Sequence, residues 1–176
     1  LEGAFFDLSK QKDSLEKSIE NTFPKYYKYK YEDNVISVEK LQNNLNDNTT
    51  LLEFFKDENV LYAFIITKKS FKVEQLAIKD LDAEVKKLND AIVAKNEKEF
   101  TQRSVFLYQQ LVAPIRKHFT GDELIIIPDE SLWHLQFDLL LTEDTGPKKP
   151  SYLLYEYAIS YANSASLLFE ETANTN

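Results

Sequence analysis

The feature that most constrains the fold is a run of eight residues, Val60 to Thr67, that is almost entirely apolar and lies between two polar turns. A short run without polar alternation is typical of a strand buried on both faces. Apolar runs flank it at Leu51 to Phe55 and at Phe71 to Ile78, where Lys72 and Glu74 alternate with apolar residues. The spacing predicts a meander of three antiparallel strands, with 60–67 inside and the last strand more exposed.

Helical patterns lie on both sides of this meander. Leu8, Leu15 and Ile19 are spaced for one face of a helix that Pro24 would end. Ser37 is a suitable N-cap residue for a short helix, and Asp80 or Asp82 could cap the first helix after the meander. The predicted helices cover about 3–21, 38–45, 81–92, 97–112, 114–119 and 165–172.

Two further apolar segments complete the predicted sheet. Leu124 to Ile127 is a continuous apolar run that follows a helix, which is typical of a buried strand in an α/β sheet. Leu153 to Tyr161 is predicted as another strand, after a loop rich in Gly and Pro, and Asn163 or Ser164 would cap the last helix. The order predicts an α/β fold: a mixed sheet with an antiparallel meander and flanking helices.

The charge of the chain is unevenly distributed. Residues 1–119 hold 19 basic and 19 acidic residues, whereas residues 120–176 hold two lysines and ten acids, so the net charge of −8 lies in the last third. An acidic face is either a solvated surface or a docking surface for a basic partner or peptide, and the negative net charge argues against nucleic acid as the main partner. Lysines alternate with tyrosines at 26–31; we interpret this stretch as a linker rather than a base-stacking surface.

Composition removes several classes of function. The chain has no Cys, which excludes a Cys nucleophile and a Cys-ligated zinc site, and its three Gly do not form a phosphate-binding loop. No apolar run reaches the roughly 18 residues of a membrane span, and we expect no signal peptide. We therefore expect a cytoplasmic protein without membrane, nucleic-acid or cofactor partners. Because it begins at Leu1 and contains no Met, we also expect it to be a piece of a longer protein.

The two histidines are the remaining candidates for chemistry. His118 lies near a helix end, where a cation suits the helix dipole. His134 follows the strand at 124–127, close to Asp129 and Ser131, and ligands in α/β sheets bind beyond the carboxyl ends of strands. However, residues within one short turn rarely reach the geometry of a catalytic triad, and Asp129 is predicted to accept backbone N–H groups in that turn. No catalytic, cofactor-binding or metal-binding residue is therefore assigned.

Several motifs, in a fixed order, resemble a known family. They include a helix reading Leu107-Tyr108-Gln-Gln-Leu111-Val-Ala-Pro114, a strand ending in Pro128-Asp129-Glu-Ser-Leu132, and Leu135-Gln-Phe137. Together with strands near 50–67 and a small-residue turn at 164–167, they resemble the CHAT domain family over about residues 35–170. These are caspase-like domains that usually follow tetratricopeptide repeats in bacterial proteins. Gln136 departs from the family pattern, which has Pro before the Phe.

The resemblance implies the N-terminal, non-catalytic part of such a domain. The family's peptidase dyad is a His followed by Gly and a later Cys; this chain has no Cys, neither of its histidines precedes a Gly, and His134 is not transferred to that role. Residues 1–31 would then be a helix and linker ending a helical repeat region, and residues 32–176 the N-terminal part of the domain, without the catalytic part. The chain alone is predicted not to be an enzyme, although its parent could be a cysteine peptidase.

The partners implied are the catalytic half of the CHAT domain and the helical repeats upstream, which this part would brace and connect. The alternative is a stand-alone module for protein–protein interaction, without an enzymatic role. A basic protein or peptide is the further partner indicated by the acidic last third.

Overall fold

The computed structural model describes residues 2–24, 35–58, 60–146 and 149–170. Contacts divide the chain into two compact units, residues 1–35 and 36–176. The first unit contains helix α1, Glu2–Thr22, which confirms the predicted helix at 3–21. In α1 the Lys12 ammonium lies 3.5 Å from the Glu16 carboxylate, one helical turn away. The tyrosine- and lysine-rich stretch at 26–31 lies outside the described residues.

The second unit is built on one five-stranded sheet. Its strands are β1 (Thr49–Asp57), β2 (Val60–Thr67), β3 (Phe71–Leu76), β4 (Glu123–Ile127) and β5 (Ala158–Tyr161), in the spatial order β3-β2-β1-β4-β5. Neighbouring strands are antiparallel in the β1–β2–β3 meander, whereas β4 is parallel to β1 and β5 is parallel to β4. The mixed sheet, the meander and the interior position of β2 are confirmed.

Helices cover both faces of this sheet, which confirms the predicted α/β class. They are α2 (Val38–Asn44), α3 (Leu81–Val93), α4 (Glu97–Leu111) and α5 (Ala165–Glu170). On one face, α3 and α4 bury Leu52, Phe54 and Ile65 in the main core. On the opposite face, α2 and α5 contribute to a smaller core with Leu51 and Ile66. Because side chains alternate along a strand, consecutive residues of β1 belong to different cores.

Two of the predicted helix caps form as expected. The Ser37 hydroxyl accepts a hydrogen bond of 3.2 Å from the Lys40 N–H at the start of α2, and the Ser164 hydroxyl accepts one of 3.2 Å from the Leu167 N–H in α5. At α3 the N-cap residue is Asp80, but it adopts a left-handed conformation with φ of 53°, and its side chain makes no capping hydrogen bond. The capping role predicted for Asp80 or Asp82 is therefore wrong for the side chains.

The last predicted strand is shorter than its sequence pattern suggested. Only Ala158–Tyr161 pairs in the sheet, and Leu153–Tyr155 forms a 3₁₀ turn. The Leu153 side chain is fully buried and its N–H bonds to the Leu140 carbonyl at 2.8 Å, so this apolar residue anchors a turn in the main core. The helix predicted at 114–119 is likewise reduced to one 3₁₀ turn, Arg116–His118.

Candidate functional site

The carboxyl ends of β1 and β4 lie side by side, because these two strands are parallel and Glu53 is in register with Ile127. A 3₁₀ turn, Glu130–His134, follows β4 and carries the residues that the sequence singled out. Ligands in sheets with parallel strands commonly bind beyond such carboxyl ends. The candidate site is therefore this edge of the sheet, together with the face of β1 next to it.

Asp129 ties the turn to the end of β1. One of its carboxylate oxygens accepts a hydrogen bond of 2.9 Å from the Lys56 N–H, and the other accepts one of 3.0 Å from the Glu130 N–H. The prediction that Asp129 accepts backbone N–H groups in this turn is confirmed. Both oxygens are already engaged by the backbone, so this carboxylate has a structural role.

Lys56 forms ion pairs with two acidic side chains near this turn. Its ammonium lies 3.0 Å from the Asp82 carboxylate and 2.7 Å from the Glu130 carboxylate, and these hydrogen bonds, Glu130 first, raise the pKa of Lys56. The neighbouring Ser131 hydroxyl, followed by Lys56, lowers the pKa of Asp82. Ser131 lies near Asp82, but among the described residues its buried Oγ has no partner that meets hydrogen-bond geometry. This network fixes the turn on α3.

The structure does not assemble the Ser/His/Asp arrangement that the turn could suggest. His134 is exposed, and its backbone carbonyl accepts a hydrogen bond of 3.0 Å from the Asn89 side chain. In the described part of the chain, no carboxylate or hydroxyl is hydrogen-bonded to the His134 ring. Asp129 therefore does not orient His134, and a base held by a third group is missing from this turn.

His118 lies elsewhere and pairs with the meander. Its Nε2 is 2.8 Å from the Glu74 carboxylate of β3, an interaction that lowers the pKa of Glu74. The contact joins the 3₁₀ turn after α4 to β3. Its geometry is that of a structural pair between this turn and the sheet.

An open, concave surface lies on the face of the sheet that carries the smaller core. Among the described residues, α2 and α5 cover Leu51 and Ile66 but leave Phe55, farther along β1, half-exposed; we call this part of the face its open half. This open half borders an open cavity of about 540 Å³. The residues that line the cavity include Glu53, Phe55, Phe64, Ile127, Asp129 and Trp133. Phe55 is 50% exposed and Trp133 is 45% exposed, although both are large aromatic side chains.

Glu53 is the unusual residue of this surface. It is a partly buried carboxylate in the central strand, flanked by Phe64 of β2 and Ile127 of β4. Burial, and then the negative charge of Asp129, raise the pKa of Glu53. Sequence reasoning missed this residue, because a single acid in the run Leu51 to Phe55 is also what the exposed side of a strand would contain. The available signal was a lone carboxylate between Leu52 and Phe54.

Comparison with protein families finds a match, which lies in the second half of the chain. Residues 102–175 match the CHAT domain family, which confirms the resemblance over these residues and supports a caspase-like domain. The match includes most of α4, both β4 and β5, and the turns between them. The opening strands quoted for the resemblance precede the matched segment. None of the curated proteins matches the chain.

The described residues provide neither a metal cluster nor a membrane-spanning helix. Among residues 2–24, 35–58, 60–146 and 149–170, no group of three or more His, Cys, Asp or Glu side chains could hold a metal ion. Of the helices in these ranges, none has the length and apolar character needed to cross a membrane. The arrangement that remains is an acidic, aromatic surface next to a structural turn.

Proposed function

We propose that this chain is the non-catalytic N-terminal portion of a CHAT domain, which braces the catalytic half of a caspase-like cysteine peptidase and relays contacts from helical repeats upstream. The observation that carries the proposal is the outer edge of β5, which pairs with no further strand among the described residues and lies in a segment similar to the CHAT family. An unpaired strand edge is a template for another strand.

The backbone of β5 supports a continuing sheet. The Ala158 N–H bonds to the Asp122 carbonyl at 2.7 Å and the Ala162 N–H bonds to the Ile126 carbonyl at 3.0 Å, so alternate amides of β5 face β4. The N–H groups of Ile159 and Tyr161 therefore point away from β4. Because β5 is parallel to β4 and is followed by α5, a further parallel strand after α5 would return to this edge by a right-handed crossover.

The absence of Cys supports a bracing role rather than a catalytic one. A cysteine peptidase needs a thiolate and a nearby base, and this chain has no Cys. The purified chain should therefore hydrolyse peptides no faster than buffer does. In the full parent protein, the dyad would lie downstream of residue 176, and Cys→Ala there should abolish cleavage.

Amide hydrogen exchange tests the brace directly. The coding sequence beyond residue 176 is read first, and a longer protein that includes the following strand is compared with this chain. We expect the Ile159 and Tyr161 amides to exchange at least tenfold more slowly in the longer protein, whereas Ala158 and Ala162 are protected in both. Equal exchange at Ile159 and Tyr161 in the two proteins, or a continuation without His-Gly and Cys, would reject the proposal.

The second candidate is a stand-alone module for protein–protein interaction. The open aromatic surface around Glu53 favours it, because large exposed apolar patches mark interaction sites. An early stop codon after residue 176 would favour this candidate over the first.

A further inference from the structure

The open half of the sheet face is apolar, yet it contains a carboxylate. Phe55, Phe64 and Trp133 form its walls, and Phe64 stacks on Phe71 of β3 with ring centroids 6.4 Å apart. Glu53 projects from the same face of β1 as Phe55, because the two residues are two positions apart in a strand. A ligand in this cavity would meet aromatic rings and a carboxylate at once.

The described residues of β1, β2 and β3 place no cation beside this carboxylate. Among the described residues, the positions of β1, β2 and β3 that share the face of Glu53 include neither Lys nor Arg. Lys56, the nearest basic residue along β1, projects from the opposite face and is held by Asp82 and Glu130. Asp129 adds a second negative charge at the rim, with both oxygens engaged by the backbone. A partly buried carboxylate with no cation beside it favours a partner that brings a positive charge.

The aromatic side chains of the cavity also favour a positively charged partner. A guanidinium or ammonium group is attracted to the face of an aromatic ring, and more strongly when water is excluded. The guanidinium also forms paired hydrogen bonds with a carboxylate. An apolar peptide side chain would contact the aromatic rings but would bury the Glu53 carboxylate without a partner. Burying an unpaired carboxylate costs free energy.

We propose that this surface binds a peptide segment that inserts an arginine or lysine side chain between Phe55 and Trp133, towards Glu53, and lays apolar side chains on the neighbouring rings. Glu53 and Asp129 place two negative charges in the lining of this cavity, and these charges favour a basic segment. The proposal is independent of the bracing role, because it uses the face of the sheet and not the edge of β5.

Trp133 makes the test direct, because it is the single tryptophan of the chain and lines the cavity. The probe is acetyl-Val-Arg-Val-Phe-amide, and its matched control replaces Arg by citrulline, which keeps the shape but removes the charge. We expect the arginine peptide to change Trp133 fluorescence in a saturable way, with an affinity about tenfold higher than that of the citrulline peptide. Equal affinities, or no saturable change for either peptide, would overturn the proposal.

Two variants of the site separate charge from apolar contact. Glu53→Gln keeps the side-chain shape, so it should remove the tenfold preference for arginine and leave citrulline binding unchanged. Phe55→Leu, at a half-exposed position, should weaken both peptides severalfold. A preference for arginine that survives in Glu53→Gln would overturn the assignment of this residue.

The matched control is Glu143→Gln. Glu143 is an exposed acid in the last third of the chain, outside this cavity. The variant changes the net charge by the same amount as Glu53→Gln, and it should retain the full preference for arginine. If Glu143→Gln lowered the preference as much as Glu53→Gln does, binding would depend on the general acidity of the molecule and the site would be rejected.

Discussion

The phenol of Tyr161 donates a hydrogen bond of 3.0 Å to the carboxylate of Asp138, and it accepts one of 2.9 Å from the Phe137 N–H. These bonds attach the edge strand β5 to the 3₁₀ turn Phe137–Leu139. Phe137 is fully buried and stacks on Phe54, with ring centroids 5.4 Å apart. One side chain thus fixes both the edge strand and a turn of the main core.

Removing this hydroxyl should weaken the fold measurably. In Tyr161→Phe the Phe137 N–H loses its partner and Asp138 loses a donor, so the free energy of unfolding should fall by about 1 kcal/mol. Urea denaturation followed by circular dichroism measures the change. Tyr155→Phe is the control, since Tyr155 is 66% exposed and its hydroxyl bonds to no described residue; it should change stability by less than about 0.3 kcal/mol. Equal effects would show that the Tyr161 hydrogen bonds are not stabilising.

The same residue predicts a pH dependence on the alkaline side. Burial, and then the Asp138 hydrogen bond and charge, raise the pKa of Tyr161 to about 12 from its ordinary 10.0. A group with a raised folded pKa stabilises fully below its unfolded value, and that contribution is lost as the pH rises through the folded value. The stability that depends on Tyr161 should therefore disappear between pH 10 and about 12. Denaturation curves of wild type and Tyr161→Phe should converge over this range; parallel curves would contradict the prediction.

On the acid side, Glu84 connects α3 to α4. Its carboxylate lies 2.7 Å from the Lys87 ammonium and 2.9 Å from the Arg103 guanidinium, and the Lys87 hydrogen bond, with both charges, lowers the pKa of Glu84. A depressed folded pKa stabilises above the unfolded value of 4.5, and the contribution is lost as the pH falls through the folded value. Glu84→Gln should therefore be less stable than wild type by about 1 kcal/mol at pH 7 and equal to it in strong acid.

An exposed ion pair is the control for Glu84. Lys86 and Asp90 are 2.5 Å apart on α3, but both side chains are more than 60% exposed. Exposed pairs contribute little, so Asp90→Asn should change stability by less than about 0.5 kcal/mol. If it cost as much as Glu84→Gln, burial would not explain the difference between the two acids.

Gln136 occupies the position where the CHAT pattern has Pro, and the backbone there already suits Pro. Its φ is −83°, the preceding Leu135 is extended with ψ of 120°, and the Gln136 N–H donates to no acceptor within the described residues. Gln136→Pro should raise the free energy of unfolding by about 0.4–1 kcal/mol, because it restricts the unfolded chain. Gln136→Ala controls for the loss of the exposed side chain. A destabilised Pro variant would show that the turn needs the N–H or a different φ.

The sequence predicted the regular elements and missed the parts that depend on distant contacts. Leu81, Val85 and Leu88 mark α3 by their spacing, and all three are buried. The apolar stretch at 132–141 has no such period, and its 3₁₀ turns are held by contacts such as the one from Tyr161 to the Phe137 N–H.

The candidate site was harder to predict than the fold. The position of Asp129 after a strand predicted that its carboxylate accepts backbone N–H groups, and the structure confirms these hydrogen bonds. The burial of Glu53 depends on where α2 and α5 stop covering the sheet, which no local pattern encodes. The position of His134 after a strand suggested a functional residue, but its ring has no hydrogen-bonded partner among the described residues. Position in the sequence does not show which contacts a side chain makes.

Glu53 should lower the stability of the free protein, as expected of a group placed for binding. Burial raises the pKa of Glu53 above 4.5. Below pH 4.5 the side chain is protonated and costs no stability, whereas stability falls as the pH rises through the folded pKa and the side chain ionises. Glu53→Gln removes the buried charge, and the variant should be more stable than wild type by about 0.5–1 kcal/mol at pH 7, with the difference shrinking in acid. Urea denaturation at pH 7 and at acid pH measures the difference in stability, with Glu143→Gln as the exposed control. A Glu53→Gln protein that is less stable than wild type at pH 7 would mean that the carboxylate has a stabilising partner within the chain, and the cavity would then need no basic peptide.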